Sequence, residues 1–194
     1  MNLLRATQQS IPTSGKNPKK FGLVIVDMLA KGESEMSYPH SSRDQLDLGF
    51  ERVGRLISFA VQHDIPIIFV VYPNENFVPI KRLLDLVPNA RTIPKQHYDA
   101  FSSPQFVRVM EDFGINSPII GGFERTCCVF KTVDSAVSRH MHVWTTDEIM
   151  FGNIKCDTRM SVFLARLYYR LKTNYFNSVD DLIHAVKMEM GVGA

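Results

Sequence analysis

The sequence predicts an α/β fold: a three-layer α/β/α sandwich around a central, mainly parallel sheet. Two observations carry this. Several short apolar runs are continuous rather than alternating, as in strands buried on both faces. Between them lie segments whose apolar residues recur with helical period. Strand, helix, strand, helix is the order that builds an open parallel sheet with right-handed crossovers. At 194 residues the chain has the size of one domain with a substantial core.

Residues 1–20 are polar, contain Pro12, Gly15 and Pro18, and read as an arm; residues 21–194 read as a single domain. The first strand is Phe21 to Val26, which runs directly into Asp27. A helix follows, with Leu46, Phe50, Val53, Ile57, Ala60 and Val61 on one face. Ile65 to Val71 is the second strand. Phe106, Val109, Met110 and Phe113 mark the next helix, and Pro118 to Gly121 a third strand. Val129, Val133, Ala136 and Val137 form another stripe, followed by a short strand candidate, His142 to Thr145. Met160, Phe163, Leu164, Leu167, Tyr168 and Leu171 share one face of a further helix. Ser178 with Asp181 three residues on is an acidic variant of a capping box, opening a last helix with Val179, Leu182, Ile183 and Val186 inward.

Composition excludes several classes. A hydrophobic fraction of 45% and a charged fraction of 22% are those of an ordinary globular protein. A net charge of +2 gives no basis for nucleic-acid binding, and the basic run from Lys16 to Lys20 reads as a solvated tail. No stretch reaches the length of a membrane span. Met1 to Ser14 offers only Leu3-Leu4 where a signal peptide needs a longer apolar run. Three cysteines, two of them adjacent (Cys127, Cys128) and the third Cys156, make a poor disulfide framework and suit a reducing compartment, so a cytoplasmic location is expected.

In open parallel sheets, ligands bind beyond the carboxyl ends of the strands. Three segments there carry chemistry. Asp27 follows the first strand; such a carboxylate is either a loop or cap acid, or is buried with a partner. Lys95-Gln96-His97-Tyr98-Asp99-Ala100-Phe101 is by itself an ordinary polar loop. Gly121-Gly122-Phe123-Glu124-Arg125-Thr126-Cys127-Cys128-Val129 joins a strand to a helix. A cysteine at a helix N-terminus feels the positive end of the dipole, which favours thiolate, and the unpaired N–H groups there can hold an oxyanion. Its structural alternative is an inert buried cysteine.

Taken in order, these segments resemble the isochorismatase-like hydrolase superfamily, which includes nicotinamidases and N-carbamoylsarcosine amidase. The matching features are an apolar strand ending in Asp27, Lys95 with Ala100-Phe101, and Gly122 followed six residues later by Cys128-Val129. Thr132, Ala136 and the ending Tyr175 to Leu182 add to the likeness, which spans Phe21 to Val186. The resemblance implies a catalytic triad of Asp27, Lys95 and Cys128. It also implies a cis peptide at Phe123–Glu124, with the Glu124 and Cys128 N–H groups forming an oxyanion hole. The implied reaction is hydrolysis of an amide-type bond through an acyl-enzyme on Cys128, without a metal or other cofactor.

Departures from the family pattern bear on the pocket. Leu29 stands where many members have Gln, and Arg125, preceded by Glu124, stands where a small hydroxyl residue is common. Arg125 either pairs with Glu124, the favoured reading, or binds a substrate carboxylate. The Asp-x-His metal motif of nicotinamidases is absent from Tyr72 to Phe77. Tyr72, Tyr98 and Phe123, with Phe77 and Trp144, are aromatic pocket candidates; specificity is expected in the loops 31–42 and 72–79. His97, two residues after Lys95, either lines the entrance or, the favoured reading, is a surface loop residue; His140-x-His142 reads as a helix end and strand start rather than a metal pair. The resemblance implies a small-molecule substrate and further copies of the chain in a homo-oligomer, a dimer or larger, as partners; no membrane is expected. Two alternatives remain at this level: a vinyl-ether hydrolase using Asp27 as acid, and an inactive binding or scaffold protein.

Overall fold

A computed structural model describes residues 18–31, 43–72, 77–87, 90–152 and 157–192. The expected arm up to residue 17, most of the two specificity loops and Cys156 lie outside the described residues.

The order of elements is β1 (Phe21–Val26), β2 (Leu29–Lys31), α1 (Arg43–Gln62), β3 (Ile67–Val71), β4 (Phe77–Pro79), α2 (Lys81–Leu84) and β5 (Arg91–Pro94). It continues with α3 (Pro104–Asp112), β6 (Ser117–Phe123), α4 (Cys128–Ser138), β7 (Trp144–Thr146) and β8 (Met150–Phe151). The last elements are α5 (Arg159–Lys172), β9 (Asn174–Phe176) and α6 (Val179–Met190). Seven strands form one sheet in the order β5-β3-β1-β6-β7-β9, with β8 beside the end of β6. Every pairing within it is parallel. β2 and β4 make a separate antiparallel pair.

β1 shows why its sequence lacks alternation. Leu23 and Ile25 belong to the apolar cluster on one face of the sheet, Val24 and Val26 to the cluster on the other. α1, α2 and α6 supply Ile57, Leu83 and Leu182 to the first cluster. α3, α4 and α5 supply Phe106, Val133 and Tyr169 to the second. The three-layer sandwich is therefore as expected. The Ser178 cap also forms: its side chain accepts from the Asp181 N–H at 3.0 Å.

One stripe faces the other way. On α5 only Ala165 and Tyr169 are buried, while Met160, Phe163, Leu164, Leu167 and Leu171 are exposed. Helical periodicity correctly groups these residues, but their face points away from the sheet. Among the described residues, no helix is long and apolar enough to cross a membrane.

Candidate active site

The chain runs outward from β1 to β3 and β5, then returns to place β6, β7 and β9 on the other side of β1. The strand order reverses between β1 and β6, the position at which such sheets form a crevice. Asp27 leaves the end of β1, and the turn from β6 into α4 carries Cys128. Lys95 follows β5, and its N–H is held by the Val71 carbonyl at 2.9 Å.

The three side chains meet. Lys95 Nζ lies 2.7 Å from Asp27 Oδ2, with the lysine side chain fully buried and the aspartate 10% exposed. Asp27 Oδ1 accepts from the Tyr72 N–H at 2.9 Å. The ammonium also donates to the His97 carbonyl at 3.2 Å and sits 5.6 Å from the centre of the Tyr72 ring. A buried pair of this kind persists only when its remaining hydrogen bonds are also satisfied. The Cys128 thiol hydrogen-bonds the Asp27 carboxylate, which joins sulfur, carboxylate and ammonium into one chain.

Burial, followed by the Asp27 charge, pushes the Cys128 thiol well above its ordinary range, although the Lys95 charge pulls it down. Burial and the Asp27 charge thus oppose the thiolate that a helix N-terminus favours, and the sulfur stands within hydrogen-bonding reach of a carboxylate. Burial and Glu124 also push the Cys127 thiol up.

The loop carrying Lys95 is strapped to α4. The Ala100 N–H donates to Thr132 Oγ1 at 3.1 Å, and Thr132 Oγ1 donates to the Cys128 carbonyl at 2.9 Å. Asp99 accepts from the Phe101 N–H at 2.9 Å and from Ser135 Oγ at 2.6 Å. These contacts fix the base of α4 against the lysine. Asp99 and Ser135 carry no individual sequence signal; only the lysine motif around them suggests a shared role.

The expected cis peptide is not formed. Among the described residues no peptide bond is cis, and the turn at Phe123–Glu124 is made instead by positive φ at Gly122 (139°) and Glu124 (66°). Gly122 is required there: a Cβ would lie 2.0 Å from the Val26 carbonyl oxygen. The Glu124 carbonyl then accepts the N–H groups of Cys127 at 2.9 Å and Val129 at 3.1 Å. The Cys128 N–H between them opens α4, where no carbonyl of its own helix can reach it.

A cavity of about 520 Å³ opens on these groups, lined among the described residues by Asp27, Tyr72, Gln96, His97, Tyr98, Glu124, Cys127 and Cys128. Tyr72 and Tyr98 are where the sequence places them. His97 is exposed, as the surface reading has it, and is also part of the wall. Three candidates are not among the described lining residues. Leu29 is taken into β2 opposite Pro79. Phe123 is packed in the core, stacked on Phe151 with ring centres 4.7 Å apart. Arg125 pairs with Asp157 rather than Glu124, with Nε 3.0 Å from Oδ2, and Asp157 also accepts from Thr126 Oγ1 at 2.6 Å. Asp157 lies too far along the chain to be read as the partner. Trp144 is likewise core, stacked on Phe176. His140 and His142 stand at the opposite, amino-terminal end of the sheet, near Asn116 and Glu189. No group of three or more metal-ligating side chains occurs among the described residues.

The model of the isochorismatase domain matches residues 22–148. Among solved structures, a cysteine hydrolase from Pseudomonas syringae is similar with a TM-score of 0.71 and 13% identity, covering 90% of this chain and 95% of that one. A nicotinamidase from Staphylococcus aureus is similar with a TM-score of 0.64 and 19% identity, covering 81% and 99%. A ribonuclease from Caenorhabditis elegans is similar with a TM-score of 0.68 and 18% identity, covering 87% and 81%. At these identities the likeness is one of fold. No curated protein sequence matches the chain.

Proposed function

The chain belongs to the isochorismatase-like hydrolase family, and from that premise we propose that it cleaves a C–N bond of the amide type in a small molecule through an acyl-enzyme on Cys128. The observation that carries this reading is the linked chain of thiol, Asp27 carboxylate and buried Lys95 ammonium, whose first two members line an open cavity.

The chemistry follows from those atoms. Sγ attacks the carbonyl carbon while its proton passes to Asp27, so the anion is formed only as it is consumed. Lys95 holds the carboxylate in place. The carbonyl electron pair moves to oxygen, where the Cys128 N–H at the start of α4 donates to it. Asp27 then gives the proton to the departing nitrogen as the C–N bond breaks. Water attacks the thioester, Asp27 takes a proton from it, and the thiol is restored as the acid leaves. None of these steps calls on a metal.

A screen of small amides with intact-mass detection tests the reading. The wild type should gain the mass of an acyl group, and Cys128→Ser should show no such thioester and a rate lower by about 10³-fold or more. Equal turnover in both would remove Cys128 from the mechanism. Turnover of a vinyl ether by Cys128→Ser would assign Asp27 the role of acid instead.

A further inference from the structure

We propose that the substrate carries a positive charge of its own, such as a protonated amine, and that Glu124 together with the rings of Tyr72 and Tyr98 selects it. This rests on the amide-hydrolase reading above and names the class of molecule that the same cavity takes. At about 520 Å³ the cavity suits a small molecule. Its described lining holds two carboxylates, Asp27 and Glu124, and no lysine or arginine.

The sign of the wall follows from where each charge goes. The Lys95 ammonium is fully buried and 2.7 Å from Asp27 Oδ2, so these two charges offset each other. Glu124 adds a second negative charge, half-buried at the turn before α4. That charge is felt inside the cavity. After burial, Glu124 does most to push the Cys127 thiol up, ahead of the Lys95 and Lys131 charges that pull it down. A carboxylate offers about four lone-pair sites, so contacts within the chain do not exhaust it.

The aromatic rings point the same way. Tyr72 is 47% and Tyr98 61% exposed, and both line the cavity. The Tyr72 ring already sits 5.6 Å from one ammonium, that of Lys95, and aromatic faces attract cations. Two tyrosines alone would suit a neutral ring equally well; the carboxylate in the same wall decides for a cation. An anionic substrate meets the reverse. Arg125, the sequence candidate for binding its carboxylate, is held by Asp157 instead.

Anilides with acyl chains of matched length, ending in an ammonium, a methyl or a carboxylate, test the proposal on the full chain. A second series carries the same three ends on the amine side. In at least one series the wild type should show its highest kcat/KM with the ammonium, above the methyl isostere by about 10–100-fold, and its lowest with the carboxylate. This order is read without any variant. Glu124→Gln, which keeps the size of the side chain, should reduce the ammonium-to-methyl ratio by about 10-fold or more. Glu111→Gln, at an exposed carboxylate on α3, should leave the ratio as it is. Equal rates with ammonium and methyl ends in both series, or a preference for the carboxylate, would overturn the proposal and leave the amide-hydrolase reading standing. An ammonium preference that survives Glu124→Gln intact would do the same. No acyl adduct and no turnover with any of these anilides would overturn that reading, and the proposal with it.

Discussion

Asp27 acts on the Cys128 sulfur in two opposed ways. Its charge holds the thiol protonated, while its oxygen is the acceptor that must take the proton during attack. Asp27→Asn separates the two. Removing the negative charge leaves Lys95 nearby without its counter-charge, so the thiol should ionise more readily and its thiolate fraction at neutral pH should rise. Alkylation of residue 128 by iodoacetamide should then be faster than in the wild type, while amide hydrolysis falls by about 10²–10⁴-fold for want of the base. Slower alkylation in Asp27→Asn would mean that the carboxylate assists even this simple substitution. In the wild type the same raised thiol predicts slow labelling at neutral pH, rising as pH increases. Lys95 bears on stability instead. Its side chain is fully buried against Asp27, and Lys95→Met should cost about 3–5 kcal/mol in denaturant unfolding by stranding the carboxylate. Adding Asp27→Asn to that variant should recover part of the loss; a purely additive double variant would mean that the two charges are not coupled.

At the scale of elements, the strands that end in chemistry were legible because each is an apolar run with an abrupt polar terminus. β1 into Asp27 is the clearest case. α6 was legible from its cap, since Ser178 and Asp181 lie within a single turn of one another. β5 was not: in Arg91-Thr92-Ile93-Pro94 only Ile93 is buried, as befits a strand at the sheet edge. Nor was the direction of the α5 stripe legible, because period shows which residues share a face and not what that face meets. The inner face of α5 has its own test. Burial pushes the Tyr169 phenol up, and burial with Asp134 pushes Tyr168 up to about 12. Above about pH 10 the unfolded chain therefore loses phenolic protons that the folded chain keeps, and stability falls as pH rises. Tyr169→Phe should cost about 1–3 kcal/mol at neutral pH by leaving the Arg125 carbonyl without its donor. It should also flatten the alkaline loss, as read from urea unfolding on either side of pH 10. An unchanged alkaline slope would place the titrating group elsewhere.

Across the whole molecule, the site was legible in outline because topology converts separation in sequence into adjacency. Asp27 and the turn before Cys128 lie close only because β1 and β6 are neighbours across the point where strand order reverses. The pocket wall was less legible. Arg125 meets Asp157 rather than the adjacent Glu124, and nothing local to either residue encodes that pairing. The central sheet also sets how the protein should unfold. Ile119 and Ile120 are consecutive in β6 and fully buried, yet they belong to the clusters on opposite faces. If the sheet makes the two layers a single unit, Ile119→Ala and Ile120→Ala should each cost about 2–5 kcal/mol. Each should also shift every probe together. Trp144, the chain's one tryptophan, reports from the cluster that holds Ile119, while far-UV ellipticity reports helices from both layers. Coincident midpoints in both variants are expected. An Ile120→Ala variant whose ellipticity falls before the Trp144 signal moves would mean that the layer carrying α3, α4 and α5, and Cys128 with it, opens independently of the other.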